Sequence, residues 1–291
     1  MQRFPLAGYN VHRVGFGAMQ LPGPGVFGPP RDRDQALAVL RRAVDSGVDH
    51  IDTAQYYGPD VANELIREAL HPYPKNLALV SKVGARRDDK GDWLPDADPD
   101  RLRAGIEDNL RSLRVERLAA VNLRVLGEDE PSQLFTDQLG AMIAARDEGL
   151  IGGIGLSNVS YEQLLHALEI TEIACVQNPF NLLDRSSQPV LDECITHDIP
   201  FVPFFPLGSA FHEVNPVLTH HLVEETAHRL PRALHRLGYT PAQIALAWTL
   251  NVADNILLIP GTSSLAHLEE NLAVADIELD DETQRELTVV A

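Results

Sequence analysis

Short runs of β-branched and apolar residues alternate along this chain with longer stretches whose apolar positions recur at helical spacing. Val11 to Phe16 reads as the first clear strand and runs into Gly15-Phe16-Gly17-Ala18-Met19; Pro5 to Gly8, ahead of it, fits a small hairpin arm. Asp34 to Ser46 carries apolar residues at 36, 37, 40, 43 and 44, a helical period that Gly47 can cap. Further strands are predicted at Val48 to Asp52, Leu77 to Lys82, Leu118 to Arg124, Ile151 to Leu156, Ile173 to Gln177, Phe201 to Phe204 and Ile256 to Ile259. Helices are predicted between them: Val61 to Leu70, Asp98 to Arg114, Gln133 to Glu148, Tyr161 to Glu169, Pro189 to His197, segments from Pro216 to Leu237, Pro241 to Asn251, and Leu265 to Val274. Asp98-Pro99 is a strong start signal, an N-cap residue followed by proline at the first helical position.

Eight strand–helix units in strict alternation call for parallel strands joined by crossover helices. In 291 residues they fit a (β/α)8 TIM barrel better than an open doubly wound sheet. No linker or composition shift divides the chain, so residues 1–291 are read as one domain. Two long polar stretches, Ala85 to Ala97 and Gly208 to Asn215, break the rhythm. Both follow strands, so a barrel places them as loops on the C-terminal face, where active sites sit.

Composition narrows the partners. A net charge of −18 opposes nucleic acid and anionic membrane, which leaves a small molecule as the expected partner. No apolar run spans a bilayer and Met1 to Asn10 lacks the core of a signal peptide. Cys175 and Cys194 make no disulfide framework. The expectation is a cytoplasmic, reducing setting. The lysines are three, Lys75, Lys82 and Lys90, so the place of each matters.

In a barrel, the strand ends converge on one site. They read Gly17-Ala18-Met19, Asp52, Lys82, Asn122 with Arg124, Ser157-Asn158, Gln177, Phe204, and Ile259-Pro260-Gly261. Asp52 and Lys82 end neighbouring strands, and a buried lysine beside a buried aspartate is costly unless the pair has a task. Tyr57, five residues after Asp52, can fold over the mouth. An ammonium nearby would lower its phenol pKa towards a useful value. The plainer alternatives are an aspartate that caps its loop and a lysine that points at solvent.

The strings around these residues tip the balance. Ile51-Asp52-Thr53-Ala54-Gln55-Tyr56-Tyr57-Gly58, Ser81-Lys82-Val83-Gly84, Gly155-Leu156-Ser157-Asn158, Val176-Gln177-Asn178, Pro206-Leu207-Gly208, and Ile259-Pro260-Gly261-Thr262-Ser263-Ser264 leading to Glu270-Asn271 occur in order along nearly the whole chain. Together they resemble the signature segments of the aldo-keto reductase superfamily. That resemblance implies hydride transfer between a nicotinamide cofactor and an aldehyde, ketone or alcohol. It makes Tyr57 the general acid, Lys82 the group that lowers its pKa, and Asp52 the partner of Lys82. It implies that Gly17, Ala18, Met19 and Asp52 lie along the cofactor, that Ser157, Asn158 and Gln177 bind the nicotinamide amide, and that Phe204 stacks on it. Leu207 and Ser209 would meet the pyrophosphate, and Glu270 and Asn271 the adenine edge.

Two departures stand out. Arg124 occupies the position of the family's catalytic histidine, with Asn122 two residues before it on the same side of the strand. Arginine stays charged and offers five donors, so Arg124 can polarise a carbonyl, lower the Tyr57 pKa further or anchor a polar substrate group; alternatively it salt-bridges an acid and impairs the site. In the last unit, Gly261 and His267 stand where NADPH-binding members often carry a lysine and an arginine. Thr262, Ser263 and Ser264 still offer hydroxyls and N–H groups at a helix N-terminus. NADP(H) is therefore the expected cofactor, with NAD(H) the alternative. Asn122-Leu123-Arg124 and Gly261-Thr262-Ser263-Ser264 resemble a bacterial branch that contains pyridoxal reductases, and Trp93 is a candidate wall for an aromatic substrate, or else a cover for its own loop. Most relatives with this fold are monomers, which sets that expectation here. Two other readings compete. A metal-dependent hydrolase on the same barrel finds only His221, Glu225 and His228 on one helical face, a pattern equally suited to a solvated surface. A cofactor-binding regulatory subunit shares the superfamily, since potassium-channel β subunits belong to it.

Overall fold

The chain opens with an antiparallel hairpin, β1 (Arg3–Leu6) and β2 (Tyr9–His12), turned at Ala7-Gly8 with both residues at positive φ. The structure is a computed structural model that describes residues 2–127, 131–208, 217, 220–221, 223–224 and 238–289. The run Val11 to Phe16 is thus not one strand. Its first residues close the hairpin, and the barrel begins at Val14. Leu6 and Val11 point into the barrel's interior cluster with Ala78, Val80, Ala120, Cys175, Val202 and Leu257, so the hairpin plugs one end. Asp49 fastens it there: its carboxylate accepts from Arg3 at 2.6 and 2.8 Å and from the His12 N–H at 2.8 Å.

The barrel strands are β3 (Phe16–Gly17), β4 (His50–Asp52), β5 (Ala78–Arg87), then, after β6 (Trp93–Asp96), β7 (Ala120–Arg124), β8 (Ile154–Ser157) and β9 (Cys175–Gln177). All but β6 pair in parallel in the order β3-β4-β5-β7-β8-β9. Single parallel bridges complete the ring: Val176 with Phe201, Phe201 with Ile256, and Leu258 with Val14. The Gly15 N–H donates to Leu258 O at 2.8 Å, so the last apolar run closes on the first. This is the eight-stranded α/β barrel that the alternation predicts.

Helices α1 (Arg33–Asp45), α2 (Val61–Leu70), α3 (Pro99–Leu113), α4 (Gln133–Asp147), α5 (Tyr161–Ile170), α6 (Gln188–Thr196), α7 (Pro241–Leu250), α8 (Leu265–Ala273) and α9 (Asp281–Thr288) are those among the described residues. Their starts follow capping chemistry. Asp32 accepts from the Gln35 N–H at 2.9 Å, which starts α1 a residue before the apolar period does. Ser160 with Gln163, and Thr240 with Gln243, form reciprocal capping boxes. Most of the segment from Pro216 to Leu237, and Glu225 and His228 with it, lies outside the described residues, as does the polar stretch after Gly208. The other polar stretch, Ala85 to Ala97, is not a loop. β5 overruns the barrel rim and returns as β6, an antiparallel hairpin with Arg87 opposite Trp93. Among the described residues no helix is long and apolar enough to cross a membrane, and no cluster of three His, Cys, Asp or Glu side chains is placed to hold a metal.

Inside the barrel, large and small residues interlock. A Cβ on Gly15 would lie 2.2 Å from the His50 ring, and one on Gly155 would lie 2.2 Å from Asn122 Oδ1. His50 fills the space that Gly15 leaves, and both of its ring nitrogens are buried without a hydrogen-bond partner. Burial pushes its imidazole down to about 4, against the upward pull of Asp49 and Asp52. The unfolded chain therefore binds the extra proton first. His50 contributes stability that is complete above its ordinary value near 6.5 and is lost as pH falls towards 4. Urea unfolding at pH 7.5 and pH 5 should show a His50-dependent loss of about 2 kcal/mol, absent in His50→Leu. An equal loss in that variant would mean that other groups carry it.

Candidate active site

The ladder sets the height of each polar residue at the C-terminal rim. Gly17 pairs with Asp52, and Arg124 with Ser157, whose other neighbour is Gln177. Lys82 extends from β5, and its ammonium donates to an Asp52 carboxylate oxygen and to Thr53 O at 3.2 Å. Lys82 and Asp52 are both buried, at 5% and 3% exposure. The second Asp52 oxygen accepts from Gln177 Nε2 at 2.6 Å. This bond fixes which end of the Gln177 amide is which. Its Oε1 faces away, buried and without a partner. An unpaired buried acceptor is costly and awaits a donor.

Two cavities meet over this pair. One of about 240 Å³ is lined by Gly17, Met19, Gln20, Asp52, Gln177, Leu207 and Gly261, among others. The second, about 270 Å³, is lined by Tyr56, Trp93 and Arg124. Met19, Tyr57, Lys82, Phe204 and Phe205 belong to both, so Tyr57 and Lys82 stand at the boundary. The Lys82 Nζ lies 5.1 Å from the Tyr57 ring centroid. Gly17 and Gly261 are there for space: a Cβ on Gly17 would meet Ile259 O at 2.4 Å, and one on Gly261 would meet Gly17 O at 2.5 Å.

The Tyr57 phenol does not titrate as its sequence neighbours predict. Burial, then Asp52, pushes it well above the ordinary tyrosine value, and Arg124 pulls it back only in part. The ammonium of Lys82 is matched by the Asp52 carboxylate, so Tyr57 faces a nearly neutral pair rather than a bare cation. It stands as a neutral phenol, which is a proton donor. Tyr56 is raised too, first by burial, and its hydroxyl is buried without a partner.

The other residues singled out from the sequence are placed around this centre as follows. Asn122 does point inward, as Arg124 does, but two residues deeper along β7. There it pairs with Gly155, donates to Ser81 O at 3.3 Å, and lines neither cavity. Ala18 is buried behind the rim. Ser157 is buried, and its Oγ accepts from Arg124 at 3.2 Å. Asn158 donates to Val125 O at 3.0 Å from a left-handed backbone. Thr262 Oγ1 accepts from the Ser264 N–H, and Ser264 caps α8 at the His267 N–H. Glu270 and Asn271 lie on α8, away from the two cavities, and Glu270 O accepts from Gln243. Ser263 lines a third cavity of about 380 Å³ with Arg31 and Gln35. Ser209 lies outside the described residues. Tyr56, Gln20 and Phe205 were not singled out from the sequence. Tyr56 sits beside Tyr57, and Phe205 follows Phe204 in a left-handed turn that no periodicity marks.

A buried aspartate–lysine pair under a tyrosine, at the mouth of an eight-stranded barrel, agrees with the comparisons. The sequence profile of the Aldo/keto reductase family matches residues 13–290, and the chain belongs to that family. It is therefore an oxidoreductase by family. Among curated proteins it is 45% identical to pyridoxine 4-dehydrogenase of Escherichia coli over 282 residues, covering 96% of this chain and 94% of that one. It is 35% identical to an oxidoreductase of Schizosaccharomyces pombe, covering 94% and 84%. The aldo/keto reductase of Klebsiella pneumoniae, solved with NADP and acetate, superposes with a TM-score of 0.80 at 26% identity over 99% of this chain and 95% of that one.

The buried pair can be tested apart from any ligand. Asp52→Leu strands the Lys82 ammonium and should lower the unfolding free energy by about 3–5 kcal/mol. Asp52→Leu with Lys82→Met should recover most of that loss, measured by urea denaturation. A double variant as unstable as the single one would mean that Asp52 acts through other partners.

Proposed function

We propose that this protein is an NADP(H)-dependent carbonyl reductase acting on a planar aromatic aldehyde of the pyridoxal type. The observation that carries the reading is that Tyr57 and Lys82 form the shared wall of two cavities, one suited to each reactant. The 45% identity to a pyridoxine 4-dehydrogenase supports the substrate class, and the NADP complex of the Klebsiella relative supports the cofactor.

The chemistry that the cofactor supplies when bound is hydride transfer. The orphaned Gln177 Oε1 suits the carboxamide N–H of a nicotinamide, since its own N–H end is held by Asp52. Phe204 and Phe205 supply aromatic faces on the same cavity. Ser263 and Arg31 share the third cavity, which Met19 and Gln20 join to the first; they offer a hydroxyl and a guanidinium for the 2′-phosphate where Gly261 and His267 do not.

In the reducing direction the Tyr57 phenol would donate its proton to the carbonyl oxygen of the bound substrate. Lys82 steadies the phenolate as it forms, and Asp52 holds the ammonium in place. Among the described residues Arg124 makes one hydrogen bond, to Ser157, while its guanidinium lies 5.1 Å from the Phe204 ring centroid. Its other donors serve the substrate, either at the carbonyl oxygen or at a ring oxygen.

Tyr57→Phe should lower kcat for pyridoxal by roughly 10²–10⁴-fold with NADPH binding retained, read by steady-state kinetics and cofactor titration. Turnover at the wild-type rate would exclude Tyr57 as the acid. In Arg124→His, KM for pyridoxal should rise if the guanidinium anchors the ring; an unchanged or improved KM would assign Arg124 to filling space.

A further inference from the structure

We propose that Arg87, which is not among the groups lining the catalytic cavities, is the positioning residue that seats Trp93 as a wall over Tyr57. The proposal rests on the carbonyl-reductase reading of the site.

Arg87 ends β5, opposite Trp93 in the β5–β6 hairpin. A two-stranded hairpin beyond a barrel rim has little stability of its own. Arg101 holds its base through Asp96, and one guanidinium, that of Arg87, fastens its tip. Arg87 donates to Val26 O and to Gly25 O, each at 2.9 Å, and to Gly91 O at 3.0 and 2.6 Å from two of its nitrogens. Its planar face lies 4.1 Å from the Trp93 ring centroid and 5.4 Å from that of Phe27. The fork thus joins the hairpin's tip, the 23–28 loop and the indole in one contact. Lysine, a point charge on a flexible stem, cannot do this.

The contacts on both sides are tight. A Cβ on Gly91, which has φ +86°, would press on the Phe27 ring at 3.1 Å. Val26 is β-branched yet holds φ +59°, a backbone that persists only where its surroundings fix it. The same Val26 carbonyl that takes the Arg87 N–H also accepts the Gly58 N–H at 3.1 Å, and Phe27 bridges Gly58. Gly58 directly follows Tyr57. One carbonyl therefore ties the hairpin to the loop that carries the proton donor. From the hairpin, Trp93 reaches the site. Its ring meets Tyr56 edge-on at 5.6 Å and Tyr57 at 6.5 Å, and it lines the cavity with Arg124. It is 39% exposed, so packing alone does not hold it.

The experiment compares wild type, Arg87→Met, Trp93→Ala and the double variant. In Arg87→Met, KM for pyridoxal should rise about tenfold, with kcat changed far less and the NADPH Kd unchanged. The double variant should be no worse than Trp93→Ala, because both changes remove one interaction. Arg87→Lys should behave like Arg87→Met, not like wild type. Acrylamide quenching gives a reading independent of turnover. Trp248 is buried, so the quenchable emission belongs to Trp93 and should become more accessible in Arg87→Met. Unchanged quenching and KM in Arg87→Met, or additive losses in the double variant, would overturn the clamp. If wild type reduces no aromatic aldehyde, the reductase reading fails; the quenching comparison still decides the clamp.

Discussion

The site turns on a charge pair that the interior does not favour. Lys82 and Asp52 are both taken out of water, and burying such a pair costs more than a well-packed apolar substitute would. Its value is in what it orients. One Asp52 oxygen holds the ammonium and the other holds the Gln177 N–H. From these two bonds follow the aim of Lys82 under the Tyr57 ring and the turning of the Gln177 amide that leaves its oxygen buried without a partner. Burial and the Asp52 carboxylate together keep the Tyr57 phenol protonated.

The barrel meets the geometric demands of this arrangement through size complementarity. Gly17 and Gly261 let the first and last strands approach backbone to backbone at the rim, and Gly15 makes room for His50 beneath. The N-terminal hairpin seals the opposite end with Leu6 and Val11. Rigid strand ends then present the polar residues at fixed heights, and the loops and the β5–β6 hairpin add the aromatic walls. Preorganisation of this kind lets donors act without reorganising during reaction.

Arg124 illustrates how one exchange reshapes such a site. A guanidinium in the place of an imidazole brings a fixed charge and a fork of donors beside Phe204. It helps restrain the rise of the Tyr57 pKa that burial imposes.

The sequence by itself determined the alternation of strands and helices, hence the barrel, because buried parallel strands and amphipathic helices leave distinct periods. It also pointed to the family, and it singled out Asp52, Tyr57, Lys82, Arg124 and Gln177, which the fold brings together around the two cavities. The start of α3 at Asp98-Pro99 was legible as local chemistry, whereas the Ser160–Gln163 capping box appears only in the structure. What lay across the chain was not legible. The split of Val11 to Phe16 between plug and barrel depends on the far residues that bury Val11. The depth of Asn122 depends on register with Gly155 rather than on alternation along its own strand. The polar stretch Ala85 to Ala97 reads as loop because of its charges, yet it pairs with itself as a hairpin, and Arg87 bonds carbonyls some 60 residues earlier. The direction of the Tyr57 pKa was decided by burial and by the Asp52 charge. Both are sums over three-dimensional neighbours, and no local pattern of residues encodes them.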